Sequence, residues 1–223
     1  ATHESDVENR LLGRGPRKRL SPYEIRDASL RSAGLLVGRM GGPSVKPYMP
    51  PGIWRSISNA SYKQDKGDKL YRRSLYTYWR RTVPPPSMMI FNAAARETCI
   101  VRTDQTTTPL QALTLMNNVA FVEAARMLAA RMMKQEGSLS PRSRVAWGFR
   151  LVTSREPNAG ELDLLLSDLA AYQQEFRRQP KSAGTLLAVG EMAFDPTLNT
   201  IDLAAYALVA NTILNLDESI TQN

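Results

Sequence analysis

The chain has 223 residues, 43% apolar and 22% charged, enough to bury a real core and too apolar for a disordered chain. Its formal net charge is +8, placed unevenly: residues 1–181 hold all 29 basic groups and carry +13, while the last 42 residues carry −5. Either the asymmetry steers an anionic partner to one end of the molecule, or the acidic end folds back on the basic body and neutralises part of it. With one histidine, His3, and one cysteine, Cys99, the sequence excludes an internal disulfide, Cys-x-x-Cys-His haem attachment and a four-ligand structural zinc site. No cofactor is expected in this chain.

In chain order, residues 1–20 read as a polar, arginine-rich lead-in with a short helix near Glu8–Leu12, and residues 21–223 as one helical domain with a subdivision point near 105. Ser21-Pro22-Tyr23-Glu24 is a capping box with proline at the first helical position. Its helix is expected to run to about Arg39 and stop at Gly41-Gly42-Pro43. A proline-rich loop follows over 43–52, then a short helix over Ile53–Ile57. Leu70–Arg81 (LYRRSLYTYWRR) reads as a strand from its aromatic and β-branched content, although Tyr71, Leu75 and Trp79 also fit one helical face. Ser87 starts a short helix through Ala95, and Cys99–Arg102 is expected as a second short strand. Thr108-Pro109-Leu110-Gln111 is another capping box, opening a helix to Met116 that Asn117-Asn118 breaks before a second helix, Val119–Lys134. Ser140-Pro141 starts a helix through Leu151, and Asn158 with Glu161 starts one to about Arg177. Residues 182–190 and 200–214 form the last two helices. The run between Asp202 and Asp217 holds fourteen uncharged residues, too few to span a bilayer. The predicted fold is mainly α, an irregular domain of five to seven helices with a small two-stranded or extended insert.

Few chemistries fit. A Ser-His-Asp triad would have to use His3, and the nucleophile elbow, P-loop and dinucleotide fingerprint are missing. Two carboxylates suffice for a glycosidase, and Asp65, Glu97, Asp104 and Glu123 are present, but nothing singles out a pair. Glu123, between Val122 and Ala124, reads as an exposed residue or an arginine partner. Cys99, followed by Ile100 and Val101, reads as a small buried hydrophobe, and the nine methionines as core filler. No basic recognition helix points to specific nucleic-acid binding. The remaining constellation is Arg72, Arg73, Arg80 and Arg81 around Tyr76, Tyr78 and Trp79, which supplies donors for an anion and a stacking face for a sugar or base. The competing interpretation pairs these arginines with Glu97 and Asp104 and buries the aromatics. The candidate ligand-binding residues are Arg72, Arg73, Tyr76, Trp79, Arg80 and Arg81; no metal ligands are proposed, and catalytic residues are not assigned.

Several runs are shared with a known family: Asn9-Arg10-Leu11-Leu12, Arg17-Lys18-Arg19-Leu20-Ser21, Glu24-Ile25-Arg26-Asp27-Ala28, Gly41-Gly42-Pro43-Ser44-Val45, Tyr71-Arg72-Arg73-Ser74-Leu75-Tyr76, Trp79-Arg80-Arg81-Thr82, Thr108-Pro109-Leu110-Gln111-Ala112-Leu113 and Leu214-Asn215-Leu216-Asp217-Glu218. From about residue 9 to 220 the chain resembles the PSD-one family of planctomycetes and related bacteria, a domain of unknown function. The resemblance implies an exported, periplasmic or cell-surface protein in which this part follows a cytochrome c module or another domain. No activity or catalytic residue comes with the family. Asn92 and Asn118 stand where the family usually carries aspartate. Two functions follow as expectations. One is a binding or scaffold module for an anionic polysaccharide or a partner domain. The alternative is the non-haem part of a polysaccharide-active hydrolase or cytochrome-linked oxidoreductase, an expectation that rests on family context alone.

Overall fold

The computed structural model describes residues 6–13, 15, 17–57, 61–101, 103, 106–135 and 140–222. Among these the architecture is mainly helical: α1 (Pro22–Ala33), α2 (Ile53–Ile57), α3 (Pro86–Ile90), α4 (Pro109–Asn117), α5 (Val119–Lys134), α6 (Pro141–Thr153), α7 (Ala159–Arg178), α8 (Pro180–Leu187) and α9 (Thr200–Leu214). The helix starts form where the sequence predicts them, and each is closed by a capping box. Ser21 with Glu24, Thr108 with Gln111, Ser140 with Ser143 and Asn158 with Glu161 satisfy orphan amides reciprocally at the starts of α1, α4, α6 and α7. Asn118 ends α4 and caps α5 through Ala120 N.

Twelve of the fourteen residues of the uncharged run lie in α9, which is the central helix. It buries Leu203, Ala204, Ala205, Tyr206, Ala207, Val209, Ala210, Ile213 and Leu214 on all sides, as expected of a helix without a polar face. Its alanines let α5 approach closely, and α6, α7 and α8 complete the shell around it. At the α5–α6 contact Gly148 gives Met132 its room, because a Cβ there would sit 2.7 Å from Met132 Sδ and the methionine would have to shift. Helix α5 belongs to every core cluster. Ala125, Leu128, Ala129 and Met132 face the C-terminal helices, Ala124 packs with Leu30, Ala33, Leu70 and Tyr71, and Phe121 packs with Ile25, Phe91, Leu115 and Ile220. No helix among the described residues is long and apolar enough to cross a membrane.

Several local expectations are corrected. Helix α1 stops at Ala33, six residues early, because Gly34 adopts the left-handed conformation (φ 75°) and Leu35 and Leu36 turn back to bond Leu30 O. Helix α3 runs from Pro86 only to Ile90, with Phe91 as its C-cap. Residues 8–12 form turns held by the Asp6 carboxylate, which accepts from Arg10 N and Leu11 N. The two-stranded sheet is elsewhere than expected: Lys18–Arg19 (β1) pairs antiparallel with Thr221–Gln222 (β2), joining the segment before α1 to the segment after α9. Leu70–Arg81 is not a strand. It makes two 3₁₀ turns, Gly67–Tyr71 and Ser74–Tyr76, and touches neighbours through single bridges at Arg72, Thr77 and Arg80. Cys99–Val101 are also outside any strand, and Cys99 is exposed, so it is not the buried hydrophobe predicted. Arg102 and Asp104 lie outside the described residues.

Candidate functional site

The arginine–aromatic segment is held from below by α1. Spacing along that helix buries Ile25, Arg26, Ser29, Leu30 and Ala33 and leaves Tyr23, Asp27 and Arg31 along the side facing a groove. Arg26 is fully packed, and its guanidinium donates to Leu70 O (2.6 Å), Arg72 O (2.9 Å) and Ser74 Oγ (3.1 Å). Asp27 Oδ1 accepts from Ser74 N at 2.8 Å. Two α1 side chains thus supply the partners that a strand ladder would otherwise give residues 70–74. Burial pushes the Arg26 pKa down, and the neighbouring Asp27 charge opposes that shift.

Once the backbone is pinned, side chains alternate: Arg72 and Ser74 point inward, Arg73 and Leu75 outward. Arg72 is 6% exposed. It stacks on the Tyr76 ring at 3.8 Å and donates to the carbonyls of Arg39, Gly41 and Pro43. Tyr76 Oη accepts from Gly41 N at 2.7 Å. Arg72 and Tyr76 therefore form the plug around which the Gly-Gly-Pro loop folds, and the Arg72 guanidinium is buried while Tyr76 is half-buried. The Trp79 indole N–H donates to Ala95 O (3.1 Å), and Arg96 lies over its ring at 4.6 Å. Arg80 lies over Trp54 at 5.0 Å, where Tyr62 and Tyr78 also pack. Arg81 is exposed. The four arginines chosen from sequence do not converge. Among the described residues, no ion pair joins any of them to Glu97, which is exposed.

Arg73 instead meets residues that sequence reasoning missed. It lines an open groove of about 850 Å³ with Arg31, Arg96, Tyr23, Leu36 and Leu75. Glu24 and Asp27 also line it, but both carboxylates are engaged internally. Glu24 accepts from Ser21 N at 2.7 Å, and the Ser21 bonds hold its pKa below the usual carboxylate range; Asp27 holds Ser74 N and sits 3.8 Å from Arg26. Arg31, Arg73 and Arg96 have no carboxylate partner among the described residues. Arg73 Nη1 touches Met40 Sδ (3.7 Å), and Arg96 Nη2 donates to Tyr23 Oη (3.2 Å). Arg96 is also held at φ 65°, a left-handed conformation that costs a non-glycine residue about 1–2 kcal/mol. Tyr23, Asp27 and Arg31 recur every four residues, a signal in the sequence that marks one side of α1. Nothing in the local sequence signals Arg96, which the chain brings in from 23 residues beyond Arg73.

Behind the same segment, Glu123 of α5 is completely buried. Its carboxylate accepts from Tyr71 Oη (2.9 Å), Tyr48 Oη (3.0 Å) and Met192 N (2.7 Å), and faces Arg126 at 3.8 Å. Of the two readings of Glu123 from sequence, arginine partner is the one realised. Burial, then the Glu123 charge, raise the Tyr48 pKa to about 12 and push Tyr71 up as well, so both phenols remain proton donors at neutral pH. Gly190, at φ 92°, lets the chain pass over this carboxylate, since any Cβ would overlap it.

The groove and its supports define a helical protein with an open, basic surface site. The sequence model of the PSD1 family, "Protein of unknown function (DUF1553)", matches residues 1–169. The chain belongs to that family. No curated protein and no solved structure matches it.

Proposed function

We propose that the chain is a binding module whose groove holds an anionic ligand with a sugar-like or apolar face, a sulfated or uronic polysaccharide being the chemistry that fits. The observation that carries this reading is the set Arg31, Arg73 and Arg96 around the groove, without carboxylate partners among the described residues, while the two groove carboxylates are engaged internally. Guanidinium groups of this kind pair with sulfate or carboxylate, and the exposed faces of Tyr23 and Leu75 supply apolar contact. The +13 body adds long-range attraction. The resemblance to exported planctomycete proteins agrees with a polysaccharide outside the cytoplasm, next to domains of the same longer chain.

The test is titration with a sulfated polysaccharide at low and moderate salt. Arg73→Ala and Arg96→Ala are expected to weaken binding about tenfold each, and added salt to weaken it further. Arg81→Ala, exposed but outside the groove, is expected to cause a much smaller change. Undetectable binding at low salt, or equal losses in all three variants, would overturn the reading.

A further inference from the structure

The groove guanidiniums stand in a row whose spacing α1 sets. Tyr23, Asp27 and Arg31 lie at successive turns along one side of that helix. Neighbouring levels are therefore about 6 Å apart, and the outer two about 12 Å. Arg96 belongs to the Tyr23 level, because its Nη2 donates to Tyr23 Oη at 3.2 Å. Arg73 enters at the Asp27 level, because the next residue, Ser74, donates its N–H to Asp27 Oδ1 at 2.8 Å. That position is fixed from below as well, since Arg26 holds Leu70 O and Arg72 O. Arg31 itself is the third level. The three arginines come from α1, the 3₁₀ segment and the chain after α3, and all three are exposed. The rest of the wall is largely apolar, with Tyr23, Ala28, Leu36 and Leu75. The carboxylate of the middle level, Asp27, is turned to Ser74 N and Arg26, and Glu24 is held by Ser21 N.

We infer that the groove takes a linear polyuronate, a chain with a carboxylate on every sugar unit, and holds three consecutive units, one on each guanidinium. This rests on the reading of the groove as a polysaccharide site, and adds the ligand's repeat and minimum length. One turn of α1, about 6 Å, is close to the length of one pyranose unit in an extended chain. Acids on successive units therefore match successive levels. A polymer with acids on alternate units reaches Arg31 and Arg96 and leaves a neutral sugar at Arg73. A lone uronate reaches one level. Each guanidinium pairs with a planar carboxylate through two parallel bonds. Once the first pair forms, the others follow at high effective concentration, so affinity climbs with each unit up to three. The C–H faces of the sugar rings meet the apolar wall.

The experiment is calorimetric titration of the full chain at low salt. Galacturonate and mannuronate oligomers of one, three and six units are compared with a hyaluronan hexamer, whose acids sit on alternate units. In at least one uronate series the trimer is expected to bind at least about a hundredfold more tightly than the monomer, about tenfold for each added pair. The hexamer is expected to stay within about tenfold of the trimer, because the row has three levels. The hyaluronan hexamer is expected to bind about tenfold more weakly than the uronate hexamer. Arg73→Ala is expected to erase that difference, lowering the uronate hexamer about tenfold and leaving hyaluronan unchanged, whereas Arg81→Ala preserves it. Four results overturn the inference while a sulfated polysaccharide still binds through Arg73 and Arg96. They are no binding by either uronate series, a trimer within about threefold of the monomer, a hyaluronan hexamer equal to the uronate hexamer, and equal losses for both hexamers in Arg73→Ala. If the sulfated polysaccharide fails to bind as well, the polysaccharide reading falls together with the inference.

Discussion

Replacing Glu123 tests how the two halves of the core are joined. The carboxylate collects Tyr48 from the proline-rich loop, Tyr71 from the 3₁₀ segment, Met192 N from the chain before α9 and Arg126 one turn along α5. Glu123→Gln keeps one acceptor oxygen for Tyr71 and Met192 N, but turns the oxygen that accepts from Tyr48 into an NH2 donor and leaves the Arg126 charge buried without an opposite. Loss of the opposite charge dominates and is expected to cost about 3 kcal/mol, the low end for breaking a buried pair. Glu123→Ala also orphans two phenolic hydroxyls and an amide, so about 5 kcal/mol is expected. In a protein of this length 1 kcal/mol moves the melting temperature by roughly 2–4 °C. The expected drops are therefore about 6–12 °C for Glu123→Gln and about 10–20 °C for Glu123→Ala, by calorimetry and urea unfolding at pH 7. The double variant Glu123→Gln, Arg126→Met removes both charges. It is expected to be at least about 1 kcal/mol more stable than Glu123→Gln alone, because no uncompensated charge is left. An alanine variant melting within about 3 °C of wild type, or a double variant less stable than Glu123→Gln, would refute the reasoning.

Two further outcomes separate scaffold from surface. Arg72→Ala is expected to destabilise by about 2–4 kcal/mol, since three carbonyls lose a charged donor, whereas Arg73→Ala is expected to stay within about 0.5 kcal/mol in the same urea titration. The acid limb of stability should report Glu161, whose carboxyl the Arg155 bonds and the Asn158 amide hold down to about 2. Because its folded value lies below its ordinary 4.5, its contribution is complete above about pH 4.5 and is lost as pH falls toward 2. Glu161→Gln is expected to flatten the fall of the urea midpoint with pH across that window, and an unchanged slope would contradict the assignment.

Local chemistry was legible where a few adjacent residues decide it. Ser21-Pro22, Thr108-Pro109, Ser140-Pro141 and Asn158 with Glu161 fix helix starts through bonds reaching only three residues. Residues 200–214 were legible as a helix, but that this helix sits at the centre of the core is decided by the helices that pack around it. The 70–81 segment was misread as a strand because its aromatic content matches strand propensity, while its actual partners are single side chains, Arg26 and Asp27, some 45 residues away. In the same way, sequence alone supplied Arg72, Arg73, Arg80 and Arg81 as a cluster of charge. Only tertiary contacts decided that Arg72 closes a loop, that Arg80 covers Trp54, and that Arg73 joins Arg31 and Arg96 at a groove. The physical reason is reach: a cap or an apolar stripe is written in neighbouring residues, but which guanidinium finds an internal acceptor and which does not depends on distant carbonyls and carboxylates that only folding brings near.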